Sequence, residues 1–234
     1  GVAVATVTSQ VISALIVTGM LLKTREIYVL KISRIRFDKR MLLSVLCIGI
    51  PAGLESVMYN ISNIVIQVFV NNLGTDTVAA WGTLGKIDAI FWMVINAFAI
   101  SITTFVGQNF GAGKYHRMRK SVSVCMIMSM VSSAVMILLM YGGAPWIYRL
   151  FTTDSAVITH GVHMSRFLLP SYFVYVIIGI LSGALRGTGK VLVPMILTCG
   201  GVCSLRILWL FTAGQMYPGI NTIMLSYPVS WSIT

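Results

Sequence analysis

Residues 77–107 read TVAAWGTLGKIDAIFWMVINAFAISITTFVG, and only Lys86 and Asp88 in that stretch carry charge. A helix that crosses roughly 30 Å of hydrocarbon needs about 20 mainly apolar residues, each rising about 1.5 Å. The stretch exceeds that length, so it predicts a membrane-spanning α-helix and makes the bilayer the chain's solvent.

The same pattern recurs on both sides. Apolar stretches separated by polar or glycine-rich turns predict further helices over 2–22, 41–71, 119–142, 160–185, 191–213 and 218–234, seven in all with 77–107. Hydrophobic residues make up 57% of the 234 and charged residues 10%, with a mean hydropathy of +0.88. The fold class that follows is an all-α integral membrane protein, a polytopic helix bundle. Residue 1 is Gly, no charged segment precedes the first apolar stretch, and the last runs to Thr234 without a tail. The expectation is a segment of a longer chain and not a signal peptide.

The net charge of +11 does not point to nucleic acid, because the basic residues sit in loops and not among aromatics on a solvated face. Seven Lys and Arg fall in 23–40, four in 114–120, and two more are Arg186 and Lys190. The intervening loops, 72–76, 143–159 and 214–217, hold only Arg149. Basic residues are retained on the cytoplasmic side, so this alternation orients every helix of a multi-pass protein of the cell membrane.

Cys47, Cys125, Cys199 and Cys203 all fall within predicted spans, where a thiol packs as a small apolar group. Neither a disulfide framework nor a metal site is expected, and His160 and His163 read as interfacial polar residues. Gly187-Thr188-Gly189-Lys190 lacks the remaining parts of a phosphate loop, with Ala184 and Val191 where glycine and Ser or Thr are needed. Asn60-Ile61-Ser62 lies inside a span, out of reach of a glycosylating enzyme. No clustered nucleophile, base or metal ligand set suggests an enzyme or a cofactor.

Of six acidic residues, Glu26, Asp38, Asp76 and Asp154 fall in or beside loops, leaving Glu55 and Asp88 within spans. Glu55 lies about 14 residues into its helix, or roughly 21 Å from the cytoplasmic end. Steps of four from it reach Tyr59, Asn63 and Gln67, with Asn60 adjoining, so one face is polar and should meet protein or water. On the next helix Asp88, Trp92, Asn96 and Thr103 form a second stripe. Antiparallel packing would bring the two carboxylates within about 6 Å in depth, sharing one cavity. Lys86 and Arg206 are the expected ion-pair partners, since buried charges are costly alone.

Gly107-Gln108-Asn109-Phe110-Gly111-Ala112-Gly113-Lys114, followed by the basic cluster His116, Arg117, Arg119 and Lys120, resembles the multidrug and toxic compound extrusion (MATE) family. Three further stretches resemble it in order: Gly49-Ile50-Pro51-Ala52-Gly53-Leu54-Glu55, Ala184-Leu185-Arg186-Gly187-Thr188-Gly189-Lys190, and Ser226-Tyr227-Pro228-Val229-Ser230-Trp231. The motif loops then include Gln108, Asn109, Gly111, Gly113, Arg186, Gly187 and Gly189. Tyr59 stands where many members carry an acid, and 160–185 lacks the family's acid of the tenth helix.

The resemblance implies a twelve-helix transporter of two six-helix lobes. Residues 1–22 would close the first lobe, 23–40 would be the basic cytoplasmic linker, and 41–234 would be the second lobe. The implied function is antiport, driven by protons or sodium, that exports organic compounds, cations among them, by alternating access. The cavity would be formed by Glu55, Asp88, Tyr59, Asn63, Gln67, Asn96 and Lys86. The rivals are a lipid-linked saccharide flippase, which would need a more cationic cavity, and a membrane subunit without transport activity.

Overall fold

The computed structural model describes residues 1–24, 29–32 and 36–234. Among these the secondary structure is helical: α1 Val2–Lys23, α2 Lys39–Asn71, α3 Thr75–Gly111, α4 Tyr115–Arg149, α5 Ser155–Leu168, α6 Tyr172–Gly187, α7 Leu192–Leu197, α8 Leu205–Met216 and α9 Ile220–Ile233. Six segments are long and apolar enough to span a bilayer, with α5–α6 and α7–α8 each counting as one. The protein is therefore a polytopic all-α membrane protein, as the apolar stretches predicted. The last expected helix, 218–234, is α9, which runs almost to the end of the sequence.

Several helices outrun their predicted ends. The span expected over 119–142 is Tyr115–Arg149, because helix continues through the basic residues at its start and through Gly142, Gly143 and Pro145 near its end. Without water to accept freed backbone groups, helix is the default in a membrane and glycine or proline interrupts it weakly. The predicted 160–185 begins at Ser155, where the Asp154 carboxylate caps α5 by accepting from Ala156 N at 2.8 Å and Val157 N at 3.4 Å. It also contains a 3-10 turn, Leu169–Ser171, at Pro170. The predicted 191–213 contains a π-helical turn, Thr198–Ser204, between α7 and α8.

The chain forms two compact units, Gly1–Leu46 and Cys47–Thr234, the division falling inside α2. In the first, most of α1 from Ala3 onward is exposed, and the Asp38 carboxylate caps the start of α2 by accepting from Arg40 N at 2.8 Å and Met41 N at 3.1 Å. The predicted linker 23–40 includes residues 25–28 and 33–35, which lie outside the described residues.

In the second unit α3 carries a buried stripe, Ala80, Leu84, Ile87, Phe91, Ile95, Ile102 and Val106, at steps close to the helical period. Around it pack α4, α5 and α6. Lipid offers apolar side chains the same contacts as a helix neighbour, so close association depends on small residues. On α6 those are Gly183 and Gly187. A Cβ at Gly183 would stand 2.8 Å from the Ala99 carbonyl oxygen, and one at Gly187 2.6 Å from that of Thr103. The same proximity lets the Thr103 hydroxyl donate across the interface to the Gly183 carbonyl at 2.9 Å.

Two of the predicted motif loops end their helices alike. Gly113 and Gly189 have φ of 69° and 82°, the left-handed region that glycine enters without a Cβ penalty. After α3, Gly113 N donates to Phe110 O and Lys114 N to Asn109 O; after α6, Gly189 N donates to Arg186 O and Lys190 N to Leu185 O. Both are Schellman caps. The other residues expected in these loops, Gln108, Asn109, Gly111, Arg186 and Gly187, lie in the last turns of α3 and α6. The correction has a physical cause, since only the glycine that reverses the chain needs to leave the helix.

The ends of α3 and α6 also lie together, because a Cβ at Gly107 would be 3.2 Å from the Gly187 carbonyl oxygen. The basic residues at 114–120 and at Arg186 and Lys190 thus share one end of the unit, as the charge alternation requires.

Candidate functional site

A cavity of about 730 Å³ opens among α2, α3, α6 and α9. From α2 it receives Glu55, Tyr59, Asn60, Asn63 and Gln67, the polar face that steps of three and four had outlined. From α3 come Trp81, Asp88, Trp92 and Asn96. The structure therefore brings together six of the seven residues expected to form the cavity. The exception is Lys86, which is exposed and does not line it. Two positions before Asp88, it falls on a different face of α3.

Glu55 has a partner that sequence reasoning did not select. Arg186 Nη2 donates to Glu55 Oε1 at 2.6 Å, with the glutamate side chain 14% exposed and the arginine 35%. The expected partners, Lys86 and Arg206, form no ion pair with either carboxylate. Asp88, 8% exposed, accepts a hydrogen bond at Oδ2 from the Tyr172 hydroxyl. Its Oδ1 makes no hydrogen bond, although buried acceptors ordinarily do.

Tyr172 and Arg186, the partners of Asp88 and Glu55, stand at opposite ends of α6, about 21 Å apart by helical rise.

Aromatic rings form the wall between the acids. Trp92 lies 5.1 Å from Tyr172, 4.8 Å from Tyr175 and 6.2 Å from Trp231 between ring centroids, and Tyr227 is 5.4 Å from Trp231. Tyr172 and Tyr175 were not selected from the sequence, and Tyr227 and Trp231 were selected only as part of a motif. Their spacing, three residues apart on α6 and four on α9, was the available signal.

Arg206 is wholly buried behind this wall and does not line the cavity. Its guanidinium carbon lies 4.0 Å from the Tyr227 ring centroid, and Nη2 donates to the Ser230 hydroxyl at 3.5 Å. The rings take the place of an acid, since a flat, weakly hydrated guanidinium stacks on an aromatic face.

The arrangement offers two carboxylates of different character, one held by a cation and one with a free oxygen, beside a large aromatic surface. Among the described residues no group of His, Cys, Asp and Glu could hold a metal ion.

Comparison with known proteins agrees with this architecture. The MatE family model matches residues 51–212. The chain is 24% identical over 201 residues to the probable multidrug resistance protein YoeA of Bacillus subtilis, covering 86% of this chain and 43% of that protein. It is 20% identical over 241 residues to the multidrug export protein MepA of Staphylococcus saprophyticus, covering 97% of this chain and 53% of that one. A crystal structure of MATE in complex with MaL6 superposes with a TM-score of 0.89 at 17% identity, over 99% of this chain and 53% of that chain. The chain spans about half the length of the relatives it matches. With the family model covering most of it, from Pro51 in α2 to Thr212 in α8, the chain belongs to the MatE family.

Proposed function

We propose that this chain supplies the second lobe of a cation-coupled antiporter that exports organic compounds by alternating access. On this reading residues 1–22 are the last helix of the first lobe, 23–40 the linker and 41–234 the second lobe. The observation that carries the proposal is Asp88, a carboxylate lining the aromatic cavity that also holds Glu55, whose buried Oδ1 has no hydrogen-bond partner among the described residues. An intramembrane carboxylate beside a cavity, with an oxygen left unpaired, is suited to take a proton or a cation. Aromatic faces give the same cavity affinity for apolar and cationic organic molecules. The names of both relatives, which refer to multidrug resistance and export, support the same reading.

A lipid-linked saccharide flippase would need free cations in the cavity to hold phosphate. Lys86 lies outside it, Arg206 is covered by Tyr227, and Arg186 is engaged by Glu55. The cavity chemistry thus favours export of organic compounds.

The test is reconstitution of the full-length protein in liposomes, with substrate release followed under an imposed proton gradient and then a sodium gradient. Asp88→Asn and Glu55→Gln should each fold and lose gradient-driven efflux at least about tenfold, the scale of one missing charge-assisted interaction. Wild-type rates in both variants under both gradients would reject coupling through this lobe. A response to only one gradient in the unaltered protein identifies the ion.

A further inference from the structure

We infer that the groove between α3 and α4 is a binding site for one anionic glycerophospholipid of the cytoplasmic leaflet. The inference rests on the membrane-spanning helices and their charge alternation, and is independent of transport. The groove has a volume of about 720 Å³ and lies apart from the aromatic cavity. Its walls are apolar along most of its length, with Phe98, Ile102 and Phe105 from α3 facing Val124 and Met128 from α4. At one end the lining changes to His116, Arg117 and Lys120, all exposed. None of the three forms an ion pair among the described residues. No acid lines the groove.

The dimensions select a lipid over a free anion. From His116 to Met128 is twelve helical residues, about 18 Å, and one leaflet contributes about 15 Å of hydrocarbon. An acyl chain laid against Phe105 and Val124, both exposed, therefore places its phosphate at the level of Arg117 and Lys120, where the charge alternation puts the cytoplasmic interface. A soluble phosphate would use the basic end and leave the apolar length empty. Basic residues at this interface attract anionic headgroups. A zwitterionic phosphatidylcholine headgroup brings no net charge to them.

The experiment is native mass spectrometry of the delipidated full-length protein titrated with phosphatidylglycerol or phosphatidylcholine of identical acyl chains. Retention of one phosphatidylglycerol at least about tenfold more tightly than phosphatidylcholine is expected. In the triple variant H116Q/R117Q/K120Q the preference should fall below about twofold. A control that removes the same number of Lys and Arg charges outside the groove, K114Q/R119Q, should keep it. Val124→Trp, which fills the apolar length and leaves the cations in place, should lower retention of both lipids, with folding checked by gel filtration. Millimolar inorganic phosphate should not displace the lipid. Equal preference in the triple variant and the wild type, loss of preference in the control, or displacement by inorganic phosphate would each overturn the inference.

Discussion

Arg186 and Glu55, 131 residues apart in sequence, are joined by a hydrogen-bonded ion pair of 2.6 Å that ties the last turn of α6 to the middle of α2. Farther along, α2 packs through Ile66 and Val70 against Leu210 and Ile223, with the Phe69 and Phe211 rings edge to face at 5.6 Å. The helix is thus held apolar at one end and by charge nearer its other.

The pair's contribution is measurable by a double-mutant cycle. With Arg186 about a third exposed, a coupling of about 1–2 kcal/mol is expected, between the ranges for surface and buried pairs. Thermal unfolding of E55Q, R186Q and E55Q/R186Q in the full-length protein should show the double variant more stable than the two single losses added. Strict additivity would mean that the contact carries no energy.

Asp88 and Tyr172 are expected to behave differently, because their contact is buried. Tyr172→Phe removes the donor and leaves both carboxylate oxygens without a partner, at a cost of about 1–3 kcal/mol. In the Asp88→Asn background the same change should cost less than half as much. Calorimetry of the four proteins checks this, and equal costs in the two backgrounds would refute it.

Glycines divide by mechanism. Gly187→Val should abolish most of the folded yield, because even its Cβ falls on the Thr103 carbonyl and no rotamer relieves a clash with backbone. Gly189→Val should cost about 1–2 kcal/mol through its left-handed φ. Gly111→Val should be tolerated, since Gly111 is helical and faces open space. Fluorescence-detected gel filtration reads all three, and an order with Gly111 worst would contradict the packing.

Orientation can be read from labelling. In a background without the four native cysteines, a cysteine at Tyr115, an exposed position, should react only with a cytoplasmic reagent, and one at Gly74 only from outside. Labelling of position 115 from outside intact cells would reverse the topology.

The helical period made the cavity faces of α2 and α3 legible, because polar residues at steps of three and four stand out against an apolar background. Arg186 was legible as part of a motif but not as the partner of Glu55, since nothing local links residues so far apart. Tyr175 escaped notice, and Tyr227 and Trp231 were read as motif residues and not as a cavity wall, because aromatic residues in a membrane segment also serve as packing and interface anchors. Both ends of α4 were placed short, because the helix continues through the basic residues after Tyr115 and through Gly142, Gly143 and Pro145 before Arg149.

The glycine contact between α6 and α3 has a mechanical consequence. Two backbones touching through Gly183 and Gly187 leave no side-chain cushion to slide on, so these helices form a stiff plate. Pro51 withdraws one backbone donor from the ladder of α2, and the facing stretch at Ala52, Gly53 and Leu54 is exposed. Among the helices that line the cavity, α2 is therefore the more compliant wall, tied to the plate by the Glu55–Arg186 contact.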